Sequence, residues 1–226
     1  MSESAARQKI AQERSALLVC TLSSFLAPFI ISAVNVAMPA IQADLHLKSI
    51  ALTWVATIYM LTMAMTLAPV GALADMYGRR KFFSAGLSVF TIASILAALA
   101  PNGAAQIVCR GLQGVGAGMF VSTGMAILTS VYPPERRGRV LGMYVAAVYI
   151  GLSAGPFAGG LITAHLGWRS IFLLMLPLGI VCIVLARLHL KDEWAGSAKG
   201  PFDLAGAALY AIAISSLVYG ASIITS

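Results

Sequence analysis

The residues of this chain that could do chemistry are concentrated where its second long apolar run ends. There Asp75 lies between two glycines and is followed by three cations, in the order Gly71, Asp75, Gly78, Arg79, Arg80, Lys81. Cations alone would anchor a membrane helix, whereas a carboxylate adds a specific electrostatic partner. The glycines allow close backbone approach and a tight reversal. The combination predicts a moving part at a membrane surface.

Asp75 is expected to form a latch with cations of two neighbouring connections. Arg79 follows it by four residues, and Arg136 and Arg137 lie in a later basic connection. A charge that serves only membrane topology is the alternative. Carboxylates contribute little to topology, so that alternative explains Asp75 poorly.

Arg110 is the one ionisable residue that we place inside the membrane, because it stands among apolar residues. Intramembrane charges are costly and normally face a bundle interior or a wet cavity. The glycines that follow favour close helix packing, so we expect Arg110 to point inward, near Gln113 and Asn35 and held by neutral oxygens. The alternative is a side chain that snorkels to the outer surface.

Small residues recur every four positions in a later apolar run, at Ala147, Gly151, Gly155 and Gly159. Such a stripe lets helix backbones approach closely. Pro156 removes one backbone donor beside it and permits a bend. The stripe and the proline together predict a bendable helix contact, with tight packing alone as the alternative.

The elements that must hold these residues are membrane helices. The chain is 59% hydrophobic and only 10% charged, against about a quarter charged in globular domains. Each charge-free run could supply the ~20 apolar residues that cross a bilayer as helix. The sequence therefore predicts an all-α, multi-spanning membrane protein with seven transmembrane helices, from the charge-free runs 15–43, 49–74, 82–109, 111–134, 140–168, 170–186 and 204–226. The short connection 101–103 separates the third helix from the fourth, which is expected to begin near Ala104 or Gln106 and so to include Arg110.

The net charge of +7 is explained by where the basic residues lie. Twelve of the 15 lysines and arginines precede the first run or lie in every second connection, and the alternate connections carry only Lys48 and Arg169. This asymmetry predicts a cytoplasmic N-terminus. It also removes the need for a nucleic-acid partner.

Enzymatic chemistry has no support in the sequence. It contains no nucleophile elbow, phosphate loop or paired carboxylates, and the cysteines and histidines lack metal-ligand spacing. We therefore expect no catalytic residue, no metal site and no bound cofactor.

The chain is predicted to consist of four segments. Residues 1–14 form a cytoplasmic N-terminal segment, 15–186 a six-helix transmembrane domain, 187–203 a cytoplasmic linker, and 204–226 a seventh transmembrane helix. Asp203 is well placed to be the N-cap of that helix.

These motifs resemble those of the major facilitator superfamily. The pattern from Gly71 to Arg80 is similar to its loop-two signature, Arg110-x-x-Gln113-Gly114 to its fourth-helix motif, and Gly151 to Gly160 to its fifth-helix antiporter motif. The segments 35–39, 167–172 and 202–203 resemble the fourteen-span drug:proton antiporter branch.

The resemblance implies two six-helix halves around a central cavity, working by alternating access. This chain would supply the N-terminal half and the first extra helix of a multi-pass plasma-membrane transporter. It implies export of a small amphiphilic compound, driven by the proton gradient. The C-terminal half in the same full-length chain, or a second copy, would be its partner in the lipid bilayer.

One departure from the antiporter branch bears on the substrate. That branch usually carries an acidic residue five positions before the first-helix asparagine, and here the position is Ile30. A lipophilic cation is therefore disfavoured as substrate, and Arg110 would suit anionic, zwitterionic or neutral compounds. Uptake of an organic anion and a non-transporting membrane assembly module remain alternatives.

Overall fold

A computed structural model describes residues 3–190 and 202–224 of the chain. Every regular element in these ranges is a helix, as the sequence predicts. The helices are α1 (Glu3–Leu45), α2 (Ser49–Tyr77), α3 (Arg79–Ala98), α4 (Gly103–Val131), α5 (Pro134–Leu166), α6 (Arg169–His189) and α7 (Leu204–Ile224).

Six of the described helices, α1 to α6, are long and apolar enough to cross a membrane. The apolar part of α7 within the described residues, Leu204–Leu217, is shorter. Asp203 caps α7, because its Oδ1 accepts a hydrogen bond from Gly206 N at 2.8 Å. This confirms the predicted N-cap.

Two predicted boundaries differ from the helices. Helix α1 begins at Glu3, so most of the expected N-terminal segment is a continuation of the first helix. Helix α6 ends at His189, three residues beyond the predicted end at 186. Residues 191–201, most of the expected linker, lie outside the described residues.

Helices that are distant in sequence make most of the packing contacts. Helix α1 packs mainly on α5 and α2 on α4, and α3 packs on both α4 and α6. Among described helices that are neighbours in the chain, only α3 and α4 pack extensively on each other. The bundle resembles two interleaved units of three helices, α1–α3 and α4–α6. If α1 corresponds to α4 and α2 to α5, the contact between α1 and α5 corresponds to the contact between α4 and α2.

Glycines of α4 allow it to approach two of its neighbours closely. A Cβ at Gly118 would lie 2.7 Å from Met63 O on α2, and a Cβ at Gly116 would lie 2.5 Å from Phe90 N on α3. Helix α4 is thereby wedged between α2 and α3. This places its polar residues in the middle of the bundle.

The two ends of the bundle differ in charge. We call the end that carries the α2–α3 and α4–α5 turns, with Arg79–Lys81 and Arg136–Arg139, the basic end. The other end, which carries the α1–α2, α3–α4 and α5–α6 turns, is called the opposite end.

Candidate functional site

The turn between α2 and α3 at the basic end depends on a glycine. Gly78 has φ 111° and ψ 120°, and its N–H donates to Ala74 O at 2.9 Å. A side chain at this φ would be strained, which is why the tight reversal requires glycine. The turn brings Arg79, at the start of α3, beside Asp75, in the last turn of α2.

Arg79 joins this turn to the end of α4. Its Nε donates to Asp75 Oδ1 at 2.6 Å, and its Nη1 donates to Ala126 O at 2.9 Å and to the Ser130 hydroxyl. Asp75 therefore orients a guanidinium that also binds the C-terminal end of a neighbouring helix. Arg80 is half-buried in the first turn of α3.

The other predicted latch cations do not reach Asp75. Arg136 Nη1 lies 3.4 Å from Glu13 Oε2 on α1, and Arg137 Nε donates to Tyr132 O at 3.0 Å. The reason is that α5 packs on α1, which carries the start of α5 toward Glu13. The basic end thus has two separate clusters in place of one.

Glu13 was not predicted as a site residue. It is only 7% exposed, and its backbone oxygen accepts a hydrogen bond from the Tyr132 hydroxyl at 2.7 Å. Burial raises the pKa of Tyr132, so its hydroxyl stays a donor at neutral pH. In the sequence, Glu13 stands in a polar N-terminal segment, and no local signal marks it as buried.

Gly71 has open space beside it. A Cβ there would meet no heavy atom of the described residues within 4 Å. The close approach expected at Gly71 is therefore not made within the described bundle, and the nearby close contacts of α2 involve glycines of α4.

In a full-length protein, we expect Asp75→Asn to reduce the transport that the resemblance implies at least tenfold and to change stability little. The Arg79–Asp75 pair is partly exposed, and such i,i+4 pairs contribute about 0.3–0.5 kcal/mol. Transport and thermal stability of the purified protein would be measured in parallel. Glu135→Gln, an exposed carboxylate in the first turn of α5, is the control. Unchanged transport by Asp75→Asn would rule out the latch.

Arg110 lies in the interior of the bundle and is only 1% exposed. Its Nε donates to Val55 O at 3.2 Å, and its Nη1 donates to Gln113 Oε1 at 2.6 Å. Its Cζ lies 4.2 Å from the centre of the Tyr59 ring, a cation–π distance. The guanidinium is thus held by neutral groups of α2 and α4.

The side chains that touch Arg110 connect it to two further helices by hydrogen bonds of their own. Gln113 Nε2 donates to Ser94 Oγ at 2.6 Å, and Ser94 Oγ donates to Phe90 O at 2.7 Å on α3. The Tyr59 hydroxyl donates to Ala27 O at 3.4 Å on α1. Ser94 and Tyr59 were not predicted, because a single serine or tyrosine in an apolar run carries no sequence signal.

Asn35 does not belong to this network. It is exposed on α1, and the carbonyl that binds Arg110 belongs to α2, not to α1. The reason is that α4 packs far more extensively on α2 than on α1. Ile30, the position where the resembling branch carries an acid, is fully buried in the core.

The small-residue stripe of α5 forms its contact with α1. A Cβ at Gly151 would lie 2.6 Å from Phe25 O, one at Gly155 would lie 2.9 Å from Phe29 O, and one at Gly159 would lie 2.7 Å from Ala33 Cα. All three glycines are buried, whereas Pro156 is exposed beside them. The stripe therefore sets how closely α1 and α5 approach.

A further polar cluster connects three helix ends at the opposite end of the bundle. Asp44 on α1 pairs with Arg169, and its Oδ2 accepts a hydrogen bond from Trp168 Nε1 at 3.2 Å. Arg169 Nη2 also donates to Ala100 O at 3.3 Å, next to the end of α3. The segment 167–172, which resembles the fourteen-span drug:proton antiporter branch, thus has a structural role, because it joins α1, α3 and α6.

The described residues contain no group of three or more histidine, cysteine or acidic side chains that could hold a metal ion. The polar groups of the bundle interior instead form hydrogen bonds with one another and surround the positive charge of Arg110.

Comparison with known proteins gives one family. Residues 20–224 match the sequence profile described as Major Facilitator Superfamily. Multidrug resistance protein Stp of Mycobacterium tuberculosis (strain CDC 1551 / Oshkosh) is 37% identical over 187 residues, which is 82% of this chain and 35% of that protein.

Two further relatives carry more specific names. The riboflavin transporter RibZ of Clostridioides difficile (strain 630) is 33% identical over 86% of this chain and 43% of its own length. The tetracenomycin C resistance and export protein of Streptomyces glaucescens is 33% identical over 83% of this chain and 35% of its own length. The chain thus spans less than half the length of these relatives.

Proposed function

Because this chain belongs to the Major Facilitator Superfamily, we propose that it forms the N-terminal half of a proton-coupled exporter of drugs or other small amphiphilic compounds. The names of relatives support export, since one is a resistance and export protein and another a multidrug resistance protein. The basic end would face the cytoplasm, according to the positive-inside rule.

Buried Arg110 is the observation that carries a transport function. An arginine in the interior of a membrane bundle is costly, and a purely structural helix bundle does not need one. Among the described residues, no ion pair involves Arg110, since the pairs are Asp75–Arg79, Glu13–Arg136 and Asp44–Arg169. No carboxylate of the described residues therefore neutralises its charge, and in the full-length transporter this charge would act on a negative group of a substrate or of the second half.

Alternating access would move the bundle against a second half of the transporter. The glycine contacts of α4 and α5 make its helix pairs tight, while α2 and α5 keep much of their surface uncovered. Those surfaces would pack on a second half, supplied by the same full-length chain or a second copy. The Arg79–Asp75 pair would act as the latch at the cytoplasmic end.

The coupling proton would be carried by another group. Arginine stays protonated, so Arg110 cannot itself carry the proton. Its charge would lower the pKa of a nearby acid in the full transporter or would hold an anionic part of the substrate.

The test is accumulation of a fluorescent drug in a host that lacks its own exporters. Cells that express the full-length protein should accumulate less dye than cells that express its Arg110→Ala variant, and a protonophore should abolish the difference. Accumulation equal to that of the vector control would contradict transport of the dye. Higher accumulation of an organic anion would instead favour the alternative function, uptake of organic anions.

A further inference from the structure

Ser94 on α3 carries a buried hydroxyl that is one hydrogen-bonded residue away from Arg110 on α4. Its Oγ lies 2.6 Å from Gln113 Nε2 and 2.7 Å from Phe90 O. The other end of the same amide, Gln113 Oε1, lies 2.6 Å from Arg110 Nη1. Ser94 and Gln113 are both fully buried. The amide of Gln113 therefore stands between the hydroxyl and the guanidinium.

The direction of each of these hydrogen bonds follows from the chemistry of the groups. A guanidinium has five N–H donors and no acceptor, so Gln113 must turn its oxygen toward Arg110. Its NH₂ group then faces Ser94, whose oxygen must accept. The Ser94 proton is left to donate to a carbonyl, and Phe90 O on the same helix accepts it. Each group thus has a single role in this arrangement.

The hydroxyl of Ser94 holds the amide in the orientation that the guanidinium requires. Among the described residues, Ser94 Oγ is the one acceptor bonded to Gln113 Nε2. A buried donor without a partner is costly, so removal of the hydroxyl favours rotation of the amide. Arg110 would then lose one of the two oxygens that fix its plane, and Val55 O would remain.

A hydroxyl that only bonds to its own helix is a common alternative role for serine. Ser88, on the same helix, has this role. Its Oγ donates to Ser84 O at 2.9 Å, and it has no second partner among the described residues. Ser94 makes the same type of bond within its helix but also accepts from Gln113 on another helix.

We propose that Ser94 is a positioning residue, whose hydroxyl fixes the Gln113 amide and through it the orientation of the Arg110 guanidinium. Helix α3 thereby contributes to the site, although no hydrogen bond joins a described residue of α3 directly to Arg110. The consequence for transport rests on the proposed function, in which the charge of Arg110 acts on a negative group.

Magic-angle-spinning NMR of the full-length protein in lipid nanodiscs, with isotope-labelled arginine, measures the orientation directly. The two Nη nitrogens of a guanidinium give separate signals when hydrogen bonds stop its rotation, and an averaged signal when it rotates freely. The Arg110 signals are those missing from Arg110→Lys. We expect separate signals in the wild-type protein and in Ser88→Ala, and an averaged signal in Ser94→Ala.

Initial rates of dye export in proteoliposomes, normalised to folded protein, measure the consequence. Ser94→Ala removes one hydrogen bond between neutral groups, so we expect a loss of about threefold to tenfold. Ser88→Ala makes the same chemical change on the same helix, with the same gain in helix propensity, and should export at the wild-type rate. In the Arg110→Lys background, Ser94→Ala should cause no further loss, because a compact ammonium with three rotatable donors needs no fixed acceptor direction.

Three results would overturn the proposal. The first is an averaged Arg110 signal in the wild-type protein, and the second is separate signals in Ser94→Ala. The third is an equal loss from Ser94→Ala in the wild-type and Arg110→Lys backgrounds, which would show that the hydroxyl serves only the packing of α3. The NMR result does not depend on transport, so a wild-type protein that exports nothing would contradict the proposed function and leave the result on Ser94 standing.

Discussion

Gly155→Leu is expected to prevent the bundle from packing and to abolish transport. The first atom added, Cβ, would lie 2.9 Å from Phe29 O and nearer still to Ser32 Oγ on α1. Backbone oxygens on a long helix cannot move aside individually, so α1 and α5 must separate. Overpacking a close-packed contact typically costs about 1–3 kcal/mol and occasionally more, and a clash with backbone atoms belongs to the costly cases.

The matched control is Gly142→Leu on the same helix. A Cβ at Gly142 has no heavy atom of the described residues within 4 Å, so the substitution makes the same chemical change without the clash. Fluorescence-detected size-exclusion chromatography would measure the folded fraction of both variants. Equal folding and transport in Gly155→Leu would show that the α1–α5 contact is not needed.

Pro156→Ala separates packing from bending at the same place. Pro156 is exposed beside the buried stripe, so alanine should preserve the contact between α1 and α5. Slower transport at unchanged stability would support a bend during the transport cycle. Lower stability would instead indicate that the proline serves packing.

Arg110→Lys is expected to lower transport by about tenfold to a hundredfold, since hydrogen bonds to charged groups contribute about 1.5–3 kcal/mol each. A lysine ammonium cannot reproduce the planar fork that meets Val55 O and Gln113 Oε1 together. Arg110→Ala should be more damaging, because it also leaves Gln113 without its donor.

Initial rates in proteoliposomes with an imposed pH gradient would measure the effect. Arg187→Ala, which removes an exposed arginine from α6, controls for loss of positive charge. Full activity in Arg110→Ala would refute the functional assignment. A loss equal to that of Arg187→Ala would show that only net charge matters.

The sequence determined much of the fold because membrane constraints act locally. A charge-free run must become a helix to satisfy its backbone in lipid, so the all-helical fold and the approximate helix bounds can be predicted from single segments. The requirement for Gly78 at the turn and the Asp203 cap are equally local, since each depends on a few adjacent residues.

Burial of Arg110 and its proximity to Gln113 were also accessible from sequence. A cation in an apolar run must either be buried or snorkel, and residues three apart on a helix lie side by side. The observed hydrogen bond between Arg110 and Gln113 agrees with this reasoning. Their functional roles remain predictions.

Only the tertiary structure decided which helices pack on each other. It thereby also decided which groups Arg110 and Arg136 bind. Arg110 binds Val55 O instead of Asn35, and Arg136 binds Glu13 instead of Asp75. Hydrophobic runs are alike in lipid, so composition does not select a neighbour for each helix. That selection depends on where glycines let two helix backbones approach closely. The glycines of α5 do so toward α1, and the glycines of α4 do so toward α2.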